Sequence, residues 1–130
     1  MVKKISYKPI GKIHSIYNNL EDLPKNSRDF GIIEASLEVN PEFIEAMADL
    51  KVNEEYYVIF HFHKSKGYDL TVPLNGKGPM TGLFSTNAPR RPNPIGITKI
   101  NIKRIEDNFI IFSGVDLLDG TPVLDIKNIE

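Results

Sequence analysis

Apolar residues in this chain alternate with polar ones in short runs broken by turn residues, and one stretch alone carries a helical period. Period-two alternation puts every second side chain on one face, as in a half-buried strand. Ile33, Ala35, Leu37 and Val39 alternate with Glu34, Ser36 and Glu38. Val58, Phe60 and Phe62 share a face opposite Tyr57, Ile59, His61 and His63 within a strand expected over residues 57–63. Tyr68, Leu70, Val72 and Leu74 form another run. Further strands are expected over 7–17, with a bulge near Gly11, over 82–85, and over 95–105, with a register slip between Ile97 and Ile100. The last pair, 108–115 and 122–126, flanks Asp119-Gly120, which reads as a hairpin turn. Residues 18–29 are polar and read as a loop.

The single helix signal is Asn40-Pro41, a capping residue before proline at the first helical position. Phe43, Met47 and Leu50 then fall on one face, which suits a short plug or lid. About seven or eight short strands with one short helix predict a mainly β chain, a small single-domain barrel over residues 1–130. Neither a βαβ alternation nor a Gly-x-Gly-x-x-Gly after a strand occurs, which argues against a doubly wound nucleotide-binding fold.

With 130 residues, 41% of them apolar, the chain can build one real core. No apolar run reaches the roughly 18–20 residues of a membrane helix, and the N-terminus lacks the apolar core of a signal peptide. Cysteine is absent, which removes disulfides and thiolate chemistry and fits a cytoplasmic protein. The formal net charge of −1 means that any nucleic-acid contact must rest on a local patch.

The most distinctive string is Gly82-Leu-Phe-Ser-Thr-Asn-Ala-Pro-Arg-Arg-Pro-Asn-Pro-Ile-Gly96. Pro89, Pro92 and Pro94 each fix φ and bias the preceding residue towards extended geometry. A loop stiffened in this way meets its ordering cost before a ligand arrives. The string resembles the signature of the TsaA-like (TrmO-type) tRNA methyltransferase family, as does Asp116-Leu-Leu-Asp-Gly-Thr-Pro122 and, more weakly, Ile10-Gly-Lys-Ile-His-Ser-Ile-Tyr17. The resemblance spans most of the chain in the family's order. It implies a small β-barrel in its short single-domain form, S-adenosyl-L-methionine as cofactor, a homodimer, and methylation of threonylcarbamoyl-modified adenosine beside the tRNA anticodon.

Carried over residue by residue, the resemblance assigns cofactor contacts to His63, Lys64, Asn87, Arg91, Asn93, Ile97, Asp116, Leu117, Leu118 and Asp119. Pro24, Lys25 and Asn26 are an approximate counterpart of an early Pro-Arg-Gln. Lys64 stands where the family often has glutamine, and Asn87 where it usually has arginine at the cofactor or reaction centre. Asparagine lacks the charge and the bidentate fork, which bears on catalysis more than on binding.

The residues themselves add chemistry. Asn93 offers a two-way amide, and the stiff loop offers fixed backbone carbonyls. Arg90 and Arg91 can meet a carboxylate or a phosphate. Asp119 can equally be simple turn chemistry. Asp116 stands between apolar residues, where an unpaired carboxylate would be costly. The candidate catalytic groups are Asn87, Arg90 and Asp116, and Asp116, Asp119 or His63 could serve as general base. His61 and His63 form a lone His-x-His without a third ligand, so no metal is expected, and His61 is set aside. Two other functions fit: a non-catalytic cofactor-binding sensor or partner subunit, and a nucleic-acid-binding barrel with Tyr57, Tyr68 and Phe84 as stacking groups.

Overall fold

The structure, a computed structural model, describes residues 3–18 and 34–130. Ile33, most of the expected 18–29 loop, and Pro24, Lys25 and Asn26 lie outside the described residues. The strands are β1 (Gly11–His14), β2 (Glu34–Val39), β3 (Glu55–His61), β4 (Thr71–Pro73), β5 (Met80–Gly82), β6 (Ile95–Glu106), β7 (Phe109–Ser113) and β8 (Pro122–Asn128). Six of them close into an antiparallel barrel in the order β1-β2-β7-β6-β3-β8, while β4 and β5 pair separately. Closure leaves the barrel no exposed edge.

The alternation chose the core. Leu37 and Val39, then Val58 and Phe60, point inward with Ile13, Tyr56, Ile100, Ile102, Ile110, Phe112 and Val123. Each such side chain contributes on the order of 1.5–3 kcal/mol by leaving water. The expected helix forms over Pro41–Met47, wound as a 3-10 helix. Asn40 does not cap it; its amide donates to the Pro9 carbonyl at 3.1 Å instead. Met47 packs into the core with Phe43 and Leu50 beside it, so this segment plugs the barrel end where β2 leaves and β3 enters.

Several expectations need correction. β1 is shorter than the 7–17 run and pairs in unbroken register with β2, so no bulge sits near Gly11. Gly11 is needed for close approach: a Cβ there would lie 2.3 Å from the Glu38 carbonyl oxygen. The slip expected between Ile97 and Ile100 is also absent, because β3 pairs continuously with β6 from Glu55↔Asn101 to His61↔Ile95. Gly96, not Ile97, occupies the inward phase, and the irregularity falls at Ile102/Arg104 against β7. The run over 82–85 is a 3-10 turn, Leu83–Ser85, following β5. Asp119-Gly120 makes a turn but no hairpin, since β7 and β8 are not neighbours. Here tertiary pairing overrides a local signal. Gly120 N–H donates to Ile13 at 2.7 Å and Ile13 N–H to Thr121 at 2.9 Å, so the turn docks on β1.

Antiparallel order brings the ends of β1, β3 and β7 and the starts of β2, β6 and β8 to one mouth, opposite the plug. The stiff loop, the segment after β3 and the crossover between β7 and β8 all open there.

Candidate functional site

The loop between β5 and β6 is braced from within. Thr86 donates through N–H and Oγ1 to the Leu83 carbonyl, at 3.0 and 2.8 Å. Arg91 Nη1 donates to the carbonyls of Thr86 and Ala88, at 2.8 and 3.1 Å. Phe62 N–H donates to Pro94 at 2.7 Å and ties the loop to the end of β3. Prolines limit the loop's conformations and the half-buried guanidinium of Arg91 selects one of them. The carbonyls of Thr86, Ala88, Asn93 and Pro94 each accept one of these internal bonds or that of Ile95 N–H, which fixes them in place.

A cavity of about 820 Å³ opens at the mouth, within the roughly 300–1,000 Å³ usual for small-molecule sites. Phe60 and Phe62 form its floor, edge to face with ring centroids 5.0 Å apart. Gly96 makes that floor possible, because a Cβ there would lie 2.4 Å from Phe60 Cζ and 2.7 Å from Phe62 Cζ. Asn87, Arg90 and Arg91 contribute one wall, and His63 and Lys64 another. Asp116, Leu117 and Leu118 close a third side, with Leu117 buried. Ile97 lines the cavity from the outer face of β6 and is 60% exposed.

Asp119 takes the structural role that turn chemistry offered. Its Oδ1 accepts from Ser15 N–H at 3.0 Å and its own N–H donates to Tyr17 at 2.6 Å, so it clamps the chain after β1 to the crossover. It does not line the cavity, and neither does exposed Asn93. Asp116 does line it but is exposed, so the cost of burial expected for its carboxylate does not arise. The flanking Leu117 is buried and also lines the cavity. Lys64 Nζ donates to the Asn18 carbonyl. Arg90 is turned along the rim, with Nε donating to the Lys66 carbonyl at 3.0 Å and Nη1 3.8 Å from Asp69 Oδ2.

Burial holds the His63 pKa below its ordinary value of 6.5, helped by nearby Lys64 and His61 and opposed by a backbone hydrogen bond with Asp119. The ring lies beside the crossover, with Nε2 3.8 Å from where a Gly120 Cβ would stand. The shift favours the uncharged imidazole, which donates from one ring nitrogen towards the Asp119 backbone.

His61, which sequence reasoning set aside, also lines the cavity, as do Ser65, Lys66, Asp69 and Thr121, which it did not single out. The polar Lys64-Ser-Lys run directly after the Phe-His pair was the available signal for two of them. Ser65 Oγ is buried without a hydrogen-bond partner among the described residues. Among the described residues no group of three or more His, Cys, Asp or Glu could hold a metal ion, and no helix is long and apolar enough to cross a membrane.

Residues 12–129 match the family described as the tRNA-methyltransferase O N-terminal domain. A probable S-adenosyl-L-methionine-binding protein of Pyrococcus abyssi is 41% identical over 123 residues, covering 95% of this chain and 67% of the relative. The tRNA (adenine(37)-N6)-methyltransferase of Mus musculus is 35% identical over 128 residues, 92% of this chain but only 29% of the mouse protein. Among solved structures, a crystal structure of TrmO superposes with a TM-score of 0.80 at 33% identity, over 98% of this chain and 58% of that one. TrmO from Pseudomonas aeruginosa gives a TM-score of 0.78 at 32% identity, over 98% and 56%. The chain thus spans somewhat over half the length of the solved relatives.

Proposed function

The chain belongs to the tRNA-methyltransferase O N-terminal domain family, and on that footing we propose that it binds S-adenosyl-L-methionine in the mouth cavity and methylates adenosine in tRNA. The acceptor we infer is a nitrogen of threonylcarbamoyl-modified adenosine beside the anticodon. The observation that carries the reading is convergence. Family-aligned positions from three separate stretches, 63–64, 87–97 (without residues 92–94) and 116–118, line a single cleft.

The residues fit the cofactor's chemistry. Phe60, Phe62 and Leu117 supply an apolar surface for a purine, Asn87 supplies a hydrogen-bonding amide, and the carboxylate of Asp116 suits an ammonium or ribose hydroxyls. Lys64 and Arg91 add positive charge for a carboxylate. When bound, S-adenosyl-L-methionine supplies an activated methyl group on a sulfonium. The protein's task is to align the acceptor and keep the site dry, which the rigid loop and aromatic floor serve. Of the basic groups at the cavity, His63 and Asp116 are the family-aligned ones and are our candidates to take the acceptor's proton. Asp119 is spoken for by Ser15.

Calorimetry with S-adenosylhomocysteine tests the cofactor half, and no heat at millimolar ligand sinks it. Methyl transfer to bulk tRNA from a strain lacking the modification tests the other half. A non-catalytic cofactor-binding module is the second reading. It is favoured by Asn87, which lines the cavity without a charge. Under it, the chain binds cofactor but transfers no methyl, and Asn87→Arg restores turnover with little change in cofactor affinity, as expected of a contact made mainly in the transition state. Homodimer formation, which would enlarge the cleft, is checked by light scattering at micromolar concentration.

A further inference from the structure

The rim of the cavity is charged unlike the rest of the molecule. Lys64, Lys66, Arg90 and Arg91 line it against only Asp69 and Asp116, in a chain whose formal net charge is −1. Two of these cations belong to one irregular segment, residues 64–70, between β3 and β4. The same segment presents Tyr68, 48% exposed, and Leu70, 72% exposed. Leu70 shares a shallow groove with Phe84, which is 82% exposed. The two lysines thus flank the cavity, and beyond them the segment carries exposed Tyr68 and, across the Leu70 groove, exposed Phe84.

This segment has little structure of its own to hold it, and Arg90 supplies the restraint. Its Nε donates to the Lys66 carbonyl, Nη1 faces Asp69, and Nη2 lies 3.5 Å from where a Gly67 Cβ would stand. The guanidinium therefore reaches across the segment from Lys66 to Asp69. Leu83 N–H donates to the Leu70 carbonyl at 2.9 Å and anchors the far end. An edge fixed at both ends, with cations at the cavity and exposed aromatics beyond them, matches the two demands of a nucleic-acid single strand: neutralised phosphates and flat faces for unstacked bases.

We propose that residues 64–70, latched to the Pro-rich loop by Arg90, form a docking edge for the single-stranded RNA that flanks the modified base. Lys66 meets a phosphate, Tyr68 and Phe84 stack bases, and Arg90 is a positioning residue that holds the edge in place. The proposal rests on the tRNA reading above for the identity of the strand. It also resolves the tension between an acidic net charge and an RNA substrate, because the cations are concentrated where the strand enters.

The test is fluorescence anisotropy of the full chain with a labelled single-stranded oligouridylate and an RNA duplex of equal length, across a salt series. Single-stranded RNA should bind more tightly than the duplex. Lys66→Gln should weaken binding several-fold and flatten the log–log salt dependence by about 0.7, the value for one phosphate contact on a single strand. Tyr68→Leu should cost about tenfold in RNA affinity and leave S-adenosylhomocysteine affinity unchanged. Arg90→Lys keeps the charge but loses the planar fork, so it should weaken RNA binding with the salt slope unaltered. Equal competition by polyglutamate of matched charge would show a polyanion sink and overturn the proposal, as would a wild-type salt slope in Lys66→Gln. Wild-type binding by Arg90→Lys would refute the latch. RNA binding without methyl transfer sinks the methyltransferase reading and leaves the docking edge standing. Methyl transfer by a chain whose Lys66→Gln and Tyr68→Leu variants bind RNA like wild type sinks the docking edge alone.

Discussion

Replacing Gly96 by alanine probes the join between the barrel core and the cavity. The added Cβ would stand 2.4 and 2.7 Å from Phe60 Cζ and Cε2, and 2.7 Å from Phe62 Cζ. Carbon atoms prefer about 3.5–4.0 Å, so each ring must retreat by roughly 1 Å. Phe60 is 7% exposed and sits in the core cluster, and Phe62 packs against it. Neither ring can move without displacing the other. Overpacking of this kind costs about 1–3 kcal/mol. For a chain of this length that lowers Tm by roughly 3–15 °C. Because the displaced rings are the cavity floor, S-adenosylhomocysteine affinity should fall by about tenfold or more. Gly82→Ala is the control: its Cβ would meet nothing within 4 Å and its φ of −56° suits any residue. Thermal melts and calorimetry on both variants decide the matter. A Gly96→Ala protein that melts and binds like Gly82→Ala would refute this account of the floor.

Three further outcomes follow from the same geometry. Arg91→Ala removes two carbonyl contacts inside the Pro-rich loop, so it should cost about 1–3 kcal/mol in urea unfolding and weaken cofactor binding through disorder of the wall. Asp119→Ala leaves the Ser15 N–H without its acceptor and unclamps the crossover; a loss of about 1–3 kcal/mol is expected, and a neutral result would show that the backbone bonds at 119 and 120 suffice. His63 has its folded pKa below 6.5, so the unfolded chain takes up the proton first and stability falls as pH drops through about 6.5 and below. Urea midpoints at pH 7.5 and 5.5 should therefore differ less in His63→Gln than in the wild type.

The alternating runs made most of the barrel legible, because period two assigns faces whatever the partner strand is. Leu37, Val39, Val58 and Phe60 are buried as that rule requires. The errors came where a local signal depends on its partner. Asp119-Gly120 has turn chemistry in any context, but only the position of β1 decides that the turn docks there and does not join β7 to β8. The apparent slip in β6 arose because Gly96, without a side chain, hid the inward phase that pairing with β3 reveals.

The site divides in the same way. The stiff loop, the Phe62-His63 pair and the Asp116-Leu-Leu stretch were visible as residue strings, since each is contiguous. Their assembly at one mouth was not, because it follows from an antiparallel strand order that no local pattern encodes. Nor could the string distinguish Asp116, exposed at the cavity, from Asp119, committed to Ser15. Residue types and local periodicity determined the strands, the rigid loop and the available chemistry. Closure of the barrel decided which of those groups face a common cavity, because contacts between distant segments depend on pairing in space and not on neighbours in the chain.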